Sequence, residues 1–148
     1  MKQVITLIIL AGMLVGMRVL LLRPGSLPKV HAQDSCTGAN FKGAYGYTFN
    51  GSVTGGLSGG LFAATGRLVA DGQGNFSGAE TASLDGEIFQ RNYTGTYKVN
   101  SNCTGSATSN DNFGAATRCD FVIVAGGREI QVIEADAGTV IVGCLKQQ

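Results

Sequence analysis

The sequence predicts an all-β protein: an antiparallel up-and-down barrel of about eight strands, with a two-sheet β-sandwich as the alternative architecture. Three observations carry this. Apolar and polar residues alternate with period two through most of residues 33–148, the pattern of half-buried strands. Short turn sequences, among them Asp85-Gly86 and Gly126-Gly127, separate the alternating runs, so neighbouring strands are joined as hairpins. No stretch beyond residue 33 has the periodicity of a helix. Consecutive hairpins make a meander, and eight strands suffice to close it and remove its exposed edges.

The elements follow in order. In the first strand Phe41, Gly43, Tyr45, Tyr47 and Phe49 share one face. Residues 50–60 are glycine-rich and read as a flexible connection. Strands are expected at 61–70, 75–84, 87–99, 103–109, 118–125, 128–134 and 139–145. Turns fall at Asp71-Gly72-Gln73-Gly74, Asp85-Gly86, 100–102, 110–114, Gly126-Gly127 and Asp136-Ala137-Gly138. The run from Asp71 to Asn75 has the look of half a calcium loop. Such a loop needs glycine at its sixth position and Phe76 stands there, so the run reads as a hairpin turn.

Residues 4–22 are almost wholly apolar and lead into Val30-His31-Ala32, a small-x-small cleavage site. Residues 1–32 therefore read as a signal peptide and 33–148 as a single domain, secreted or periplasmic. An uncleaved anchor is the alternative, but Pro24, Gly25 and Pro28 favour an extended, protease-accessible segment. Cleavage would remove His31, the only histidine, and every methionine; the chain has no tryptophan. The formal charge of +1 belongs to the whole chain. Beyond residue 33, seven basic residues face ten acidic ones, so no basic surface for nucleic acid is expected. No membrane contact is expected after leader cleavage. Without a histidine, a serine–histidine triad is excluded, and the sequence calls for no metal and no cofactor.

Four cysteines, Cys36, Cys103, Cys119 and Cys144, lie in the exported part and read as two disulfides. Residues 70–88, 91–105 and 121–143 resemble a group of small exported bacterial proteins of unknown function, whose strand pattern is similar to lipocalin-like barrels. The resemblance implies a Cys36–Cys103 bond, with Cys119 and Cys144 as a further pair. Hairpin registers point elsewhere. Pairing Ala125 with Arg128 sets Cys119 opposite Glu134. Pairing Glu134 with Thr139 sets Cys144 opposite Glu129. Cys119 and Cys144 then lie beyond the ~7 Å reach of a disulfide. A nested set, Cys36–Cys144 and Cys103–Cys119, fits strand geometry better, and both connectivities stand at this point. Residues 93–97 also echo avidin-type barrels, but those wall their ligand with tryptophan, which is missing here.

The candidate site comes from one hairpin. The Asp85-Gly86 turn pairs Leu84 with Glu87, Ala82 with Phe89, and hence Glu80 with Arg91. Both share parity with Phe76, Ala82, Leu84, Phe89, Tyr93 and Tyr97, the apolar face. An inward Glu–Arg pair needs full hydrogen bonding, because an unpaired buried charge is costly. It is either a register-fixing ion pair or the polar floor of a ligand cavity lined by Tyr45, Tyr47, Tyr93 and Tyr97.

The chain thus reads as a binding or structural module, with a small apolar or amphipathic ligand as its expected partner. A cyclase-barrel-like enzyme using Glu80, and a surface adhesin or inhibitor module using residues 50–60, are the rivals. Cavity volume discriminates. A filled interior favours a structural role, while ~300 Å³ or more with Glu80 and Arg91 on the wall favours a ligand.

Overall fold

A computed structural model of the chain describes residues 35–54 and 59–148, so the expected leader lies outside the described residues. Eight strands form one closed antiparallel barrel in sequence order. They are β1 (Lys42–Val53), β2 (Gly60–Asp71), β3 (Asn75–Leu84), β4 (Glu87–Val99), β5 (Thr104–Asp111), β6 (Ala116–Val124), β7 (Glu129–Glu134) and β8 (Thr139–Gln147). The ladder between β1 and β8 closes the ring, from Tyr45↔Gln147 to Val53↔Thr139. The eight-strand barrel is the architecture the sequence predicts, and the sandwich is set aside.

The hairpin signals hold where the turn is short. Asp85 and Gly86 both adopt positive φ, as a two-residue primed turn requires. The register that follows pairs Leu84 with Glu87 and Glu80 with Arg91, as expected. Several boundaries and one register differ; β6 begins at Ala116 and β8 runs on to Gln147. β1 runs on to Val53, because residues 50–53 pair with both β2 and β8. Of the stretch read as flexible, only residues 55–58 lie outside the described residues. β5 extends to Asp111, which pairs with Tyr93. The β7–β8 register is shifted by two residues, so Gln131, not Glu129, faces Cys144. The connection is wider than the four-residue turn expected: the last pair is Ile133↔Val142, the Ala135 amide bonds the Arg118 carbonyl of β6 at 2.8 Å, and the Asp136 carbonyl accepts the Thr139 amide at 3.3 Å.

Inside the barrel, aromatic rings lie over glycines on the neighbouring strand. Tyr47 pairs with Gly66, Phe49 with Gly143, Phe76 with Gly95, Tyr93 with Gly78 and Phe121 with Gly105. A Cβ at any of these five glycines would overlap the facing aromatic side chain. Phe49, Phe76, Tyr93 and Phe121 all belong to the core or pack against it. The glycines are therefore receptors for rings as well as sites of bending.

One end of the barrel is packed solid. A short 3-10 turn, Gly38–Asn40, crosses it and leads into Phe41, which is buried against Tyr45, Tyr97 and Phe121. The Tyr97 hydroxyl donates to the Phe41 carbonyl at 2.7 Å, and the Tyr45 hydroxyl to that of Gly127 at 2.8 Å. Both phenols are raised above their ordinary pKa, chiefly by burial. Ile123, Ile130 and Leu145 complete this end, all nearly inaccessible. A Cys36–Cys103 disulfide ties the entering segment to the start of β5.

The second disulfide is not formed; Cys119 and Cys144 are free thiols. Parity is the reason. Cys119 faces the interior, whereas Cys144 faces outward beside Thr48 and Gln131. β7 also lies between them, which sets their strands roughly 10 Å apart. The nested connectivity fails as well, since Cys36 is bonded to Cys103.

The β2–β3 turn is held by Asp71. One carboxylate oxygen accepts the amides of Gln73 (2.6 Å) and Asn75 (3.0 Å), and the other accepts the Asn75 side chain (2.6 Å). The Asn75 side chain and then these amides lower its pKa to about 2. A depressed carboxylate pKa contributes stability above the ordinary value, lost as pH falls through the folded one. Asp71→Ala should therefore melt below wild type at pH 7. Thermal melts at several pH values should show that gap closing as pH falls from about 4 towards 2.

Candidate functional site

The opposite end of the barrel is hollow. A cavity of about 110 Å³ lies among inward side chains of all eight strands. Its floor is Phe41, Leu68, Phe76 and Phe121, and its walls include Tyr47, Phe49, Phe62, Tyr93, Ala107 and Val132. Polar groups gather towards the mouth: Glu80, Arg91, Ser109, Asp111, Thr117, Cys119 and Glu134.

Glu80 and Arg91 meet as the hairpin register requires. Arg91 donates from Nε to Glu80 Oε1 at 2.7 Å, and Nη2 bonds the same oxygen. Glu80 Oε2 accepts the Tyr47 hydroxyl at 2.8 Å, and Tyr47 in turn accepts the Tyr93 hydroxyl at 2.7 Å. Arg91 Nη1 lies 3.6 Å from Asp111 Oδ2. The guanidinium also sits 5.7 Å from the Phe62 ring centre and 5.6 Å from that of Phe89. The Glu80 side chain is 5% exposed and that of Arg91 23%, so the pair spans the step from core to mouth. Burial, then the neighbouring tyrosine, holds the Tyr47 phenol far above its ordinary pKa; burial does the same to Tyr93. Both hydroxyls are fixed as neutral donors.

The structure brings together four of the six expected site residues: Glu80, Arg91, Tyr47 and Tyr93. Tyr45 and Tyr97 do not line the cavity. They share its parity but stand at the packed end, where their hydroxyls hold backbone carbonyls. Both Glu80 oxygens already accept hydrogen bonds, so the carboxylate needed by a cyclase-type reaction is committed to Arg91 and Tyr47.

Sequence reasoning missed Asp111, Cys119 and Glu134 as wall residues. The sequence pattern places Asp111 in a loop, whereas β5 runs two residues further and sets it opposite Tyr93. Its Oδ1 caps the β5–β6 turn, accepting the amides of Phe113 and Ala115, each at 2.9 Å. Cys119 and Glu134 are cross-strand partners, a pairing the β6–β7 turn already implied. Burial, with Glu134 next, pushes the Cys119 thiol up to about 12. Burial and then Asp136 raise Glu134 above the ordinary carboxylate value.

No protein-family model matches the sequence, and no curated protein is significantly similar to it. The fold is similar to that of a de novo designed, fluorescence-activating β-barrel, with a TM-score of 0.55. The match covers 76% of this chain and 99% of the designed one at 14% identity, so it carries the fold alone.

Two measurements follow. Arg91→Ala strands a buried carboxylate and should cost about 3 kcal/mol in urea unfolding, whereas replacing Glu80 by Leu and Arg91 by Met together should cost far less. Single variants within ~0.5 kcal/mol of wild type would place the pair in solvent. Thiol titration of denatured, unreduced protein should count two thiols per chain. In the native protein at pH 8, Cys144 should react first. Cys119, with a pKa of about 12 and roughly one thiolate in ten thousand, should react only on unfolding.

Proposed function

We propose that this chain is an exported, bacterial-type binding barrel that holds a small apolar or amphipathic molecule in its hollow end. The observation that carries the reading is the asymmetry of the interior. One end is closed by Phe41, Tyr45, Tyr97 and Phe121, while the other keeps about 110 Å³ walled by aromatic rings and a hydrogen-bonded polar cluster. Aromatic walls with a few fixed polar groups are the usual composition of a small-molecule site. The volume is about a third of the ~300 Å³ set from the sequence as the mark of a ligand site, so Glu80 and Arg91 are on the wall but the size criterion is not met, and the reading is confined to a small ligand. The hollow suits a ligand, or part of one, about the size of a single ring; a dry apolar cavity of ~150 Å³ holds benzene.

Export rests on the apolar leader, residues 4–22, and the site ending at Ala32, with residues 33–148 as the mature domain. The Cys36–Cys103 disulfide points to a non-cytoplasmic compartment. Among the described residues, no helix is long and apolar enough to cross a membrane. The lipocalin-like strand pattern agrees with an interior ligand, and the balance of charge beyond residue 33 argues against a nucleic-acid partner.

Toluene, a neutral ring, is a fitting first probe. Titrated into the full chain, it should shift the NMR signals of Phe62, Ala107 and Val132. Native mass spectrometry of protein recovered from its source should show a small bound species. Ala107→Leu fills the hollow and should abolish both signals while leaving the melting temperature at or above wild type. A ligand-free protein whose wall signals ignore toluene would reduce the barrel to a structural module.

A further inference from the structure

We infer that the occupant of the cavity is a small organic amine, its ammonium at the mouth and its apolar ring or short chain among the aromatic walls. The inference rests on the ligand-binding reading above and names the ligand's class.

The ionisable groups on the wall are unbalanced. Three carboxylates, Glu80, Asp111 and Glu134, share a single guanidinium, that of Arg91. Arg91 is committed: two of its nitrogens bond Glu80 and a third faces Asp111. Glu134 has the Thr139 side chain as a hydrogen-bond partner and feels the Arg91 charge only at a distance. It is half-buried and makes no ion pair among the described residues. Arg118, the basic residue nearest to it along the sheet, points outward to Asp136. The mouth therefore carries surplus negative charge in a partly desolvated setting, where a charge counts for more than in water.

The cavity supplies a second and independent preference. Its walls are the rings of Tyr47, Phe49, Phe62 and Tyr93, whose faces attract cations. Arg91 already uses this property, lying within 6 Å of two ring centres. An ammonium entering the mouth meets Glu134 and aromatic faces. A carboxylate of the same size meets three carboxylates and an arginine already bonded. A neutral ligand would gain the rings but leave Glu134 without an ion pair.

Three probes of one shape separate these cases: benzylamine, benzyl alcohol and benzoate, each titrated at pH 7 into the full chain and followed by NMR. Benzylamine should bind about tenfold more tightly than the alcohol, a difference of ~1.4 kcal/mol, and benzoate should not bind. Glu134→Gln keeps the shape of the wall and should erase most of that preference, its folding checked by a thermal melt. Asp111 is unsuitable for the test because it caps a turn. Equal affinities for amine and alcohol, or a preference for benzoate, would overturn the amine inference and leave the ligand-binding reading standing. Failure of all three probes would overturn both. An amine preference unchanged in Glu134→Gln would overturn the role given to that carboxylate, and with it the inference.

Discussion

A ring and a glycine facing each other across a strand pair is the constraint from which most of this structure follows. An eight-strand barrel has an interior just wide enough for side chains. Aliphatic partners fit there side by side, as Ile123 and Ile130 do, but a ring that lies across the neighbouring strand leaves no room for a side chain beneath it. Here five aromatic side chains each face a residue without a Cβ, and the ring takes the space a side chain would have filled. The pairing also fixes register. A slip of one residue would turn the rings outward; a slip of two would bring each ring against a different inward side chain. Within the strands, these five glycines stand where the facing filler is a ring.

The same rule explains where the barrel is full and where it is hollow. At the packed end the rings reach the axis and are topped by the segment around Phe41, which the disulfide holds in place. Towards the other end β5 turns only Ala107, Ser109 and Asp111 inward, and no ring crosses from that side. Along that wall Arg91 of β4 joins the two neighbouring strands, holding Glu80 of β3 and facing Asp111 of β5. Tyr47 and Tyr93 serve both halves of the design. Their rings cover Gly66 and Gly78, and their hydroxyls form the chain that ends on Glu80.

Much of this was legible because turns and parity are local. The Asp85-Gly86 turn alone determines that Glu80 faces Arg91, and the apolar parity of β3 and β4 turns both inward. What parity cannot supply is depth along the barrel, which is why Tyr45 and Tyr97 were grouped with Tyr47 and Tyr93 although they lie at the other end. Parity itself fails where both faces of a strand are apolar. Phe121-Val122-Ile123-Val124 and Val140-Ile141-Val142 are such runs, with Val122, Val140 and Val142 outward and exposed. Those runs flank Cys119 and Cys144, so the opposite orientations of the two thiols were hidden. The glycine–ring pairing was readable only once registers were known, since it joins residues on different strands.

The polar cluster and the hollow are both costs to folding, and they occur together. By the usual rule of ~24 cal/mol per Å³, a void of about 110 Å³ forfeits on the order of 2–3 kcal/mol. A buried ion pair is, in addition, often no more stabilising than well-packed apolar residues of the same volume. The packed end shows that this chain can fill its interior with rings and aliphatic side chains. At the hollow end it instead places a carboxylate that is 5% exposed, an arginine to neutralise it, and small residues opposite. Each oxygen of that carboxylate is satisfied by side chains of the barrel itself, which holds the cluster in one geometry. A polar rim so held over an unfilled aromatic cavity costs stability that the fold alone does not require. A molecule entering the hollow would restore the lost contacts without having to reorganise the rim, which is the condition under which binding energy is least diluted.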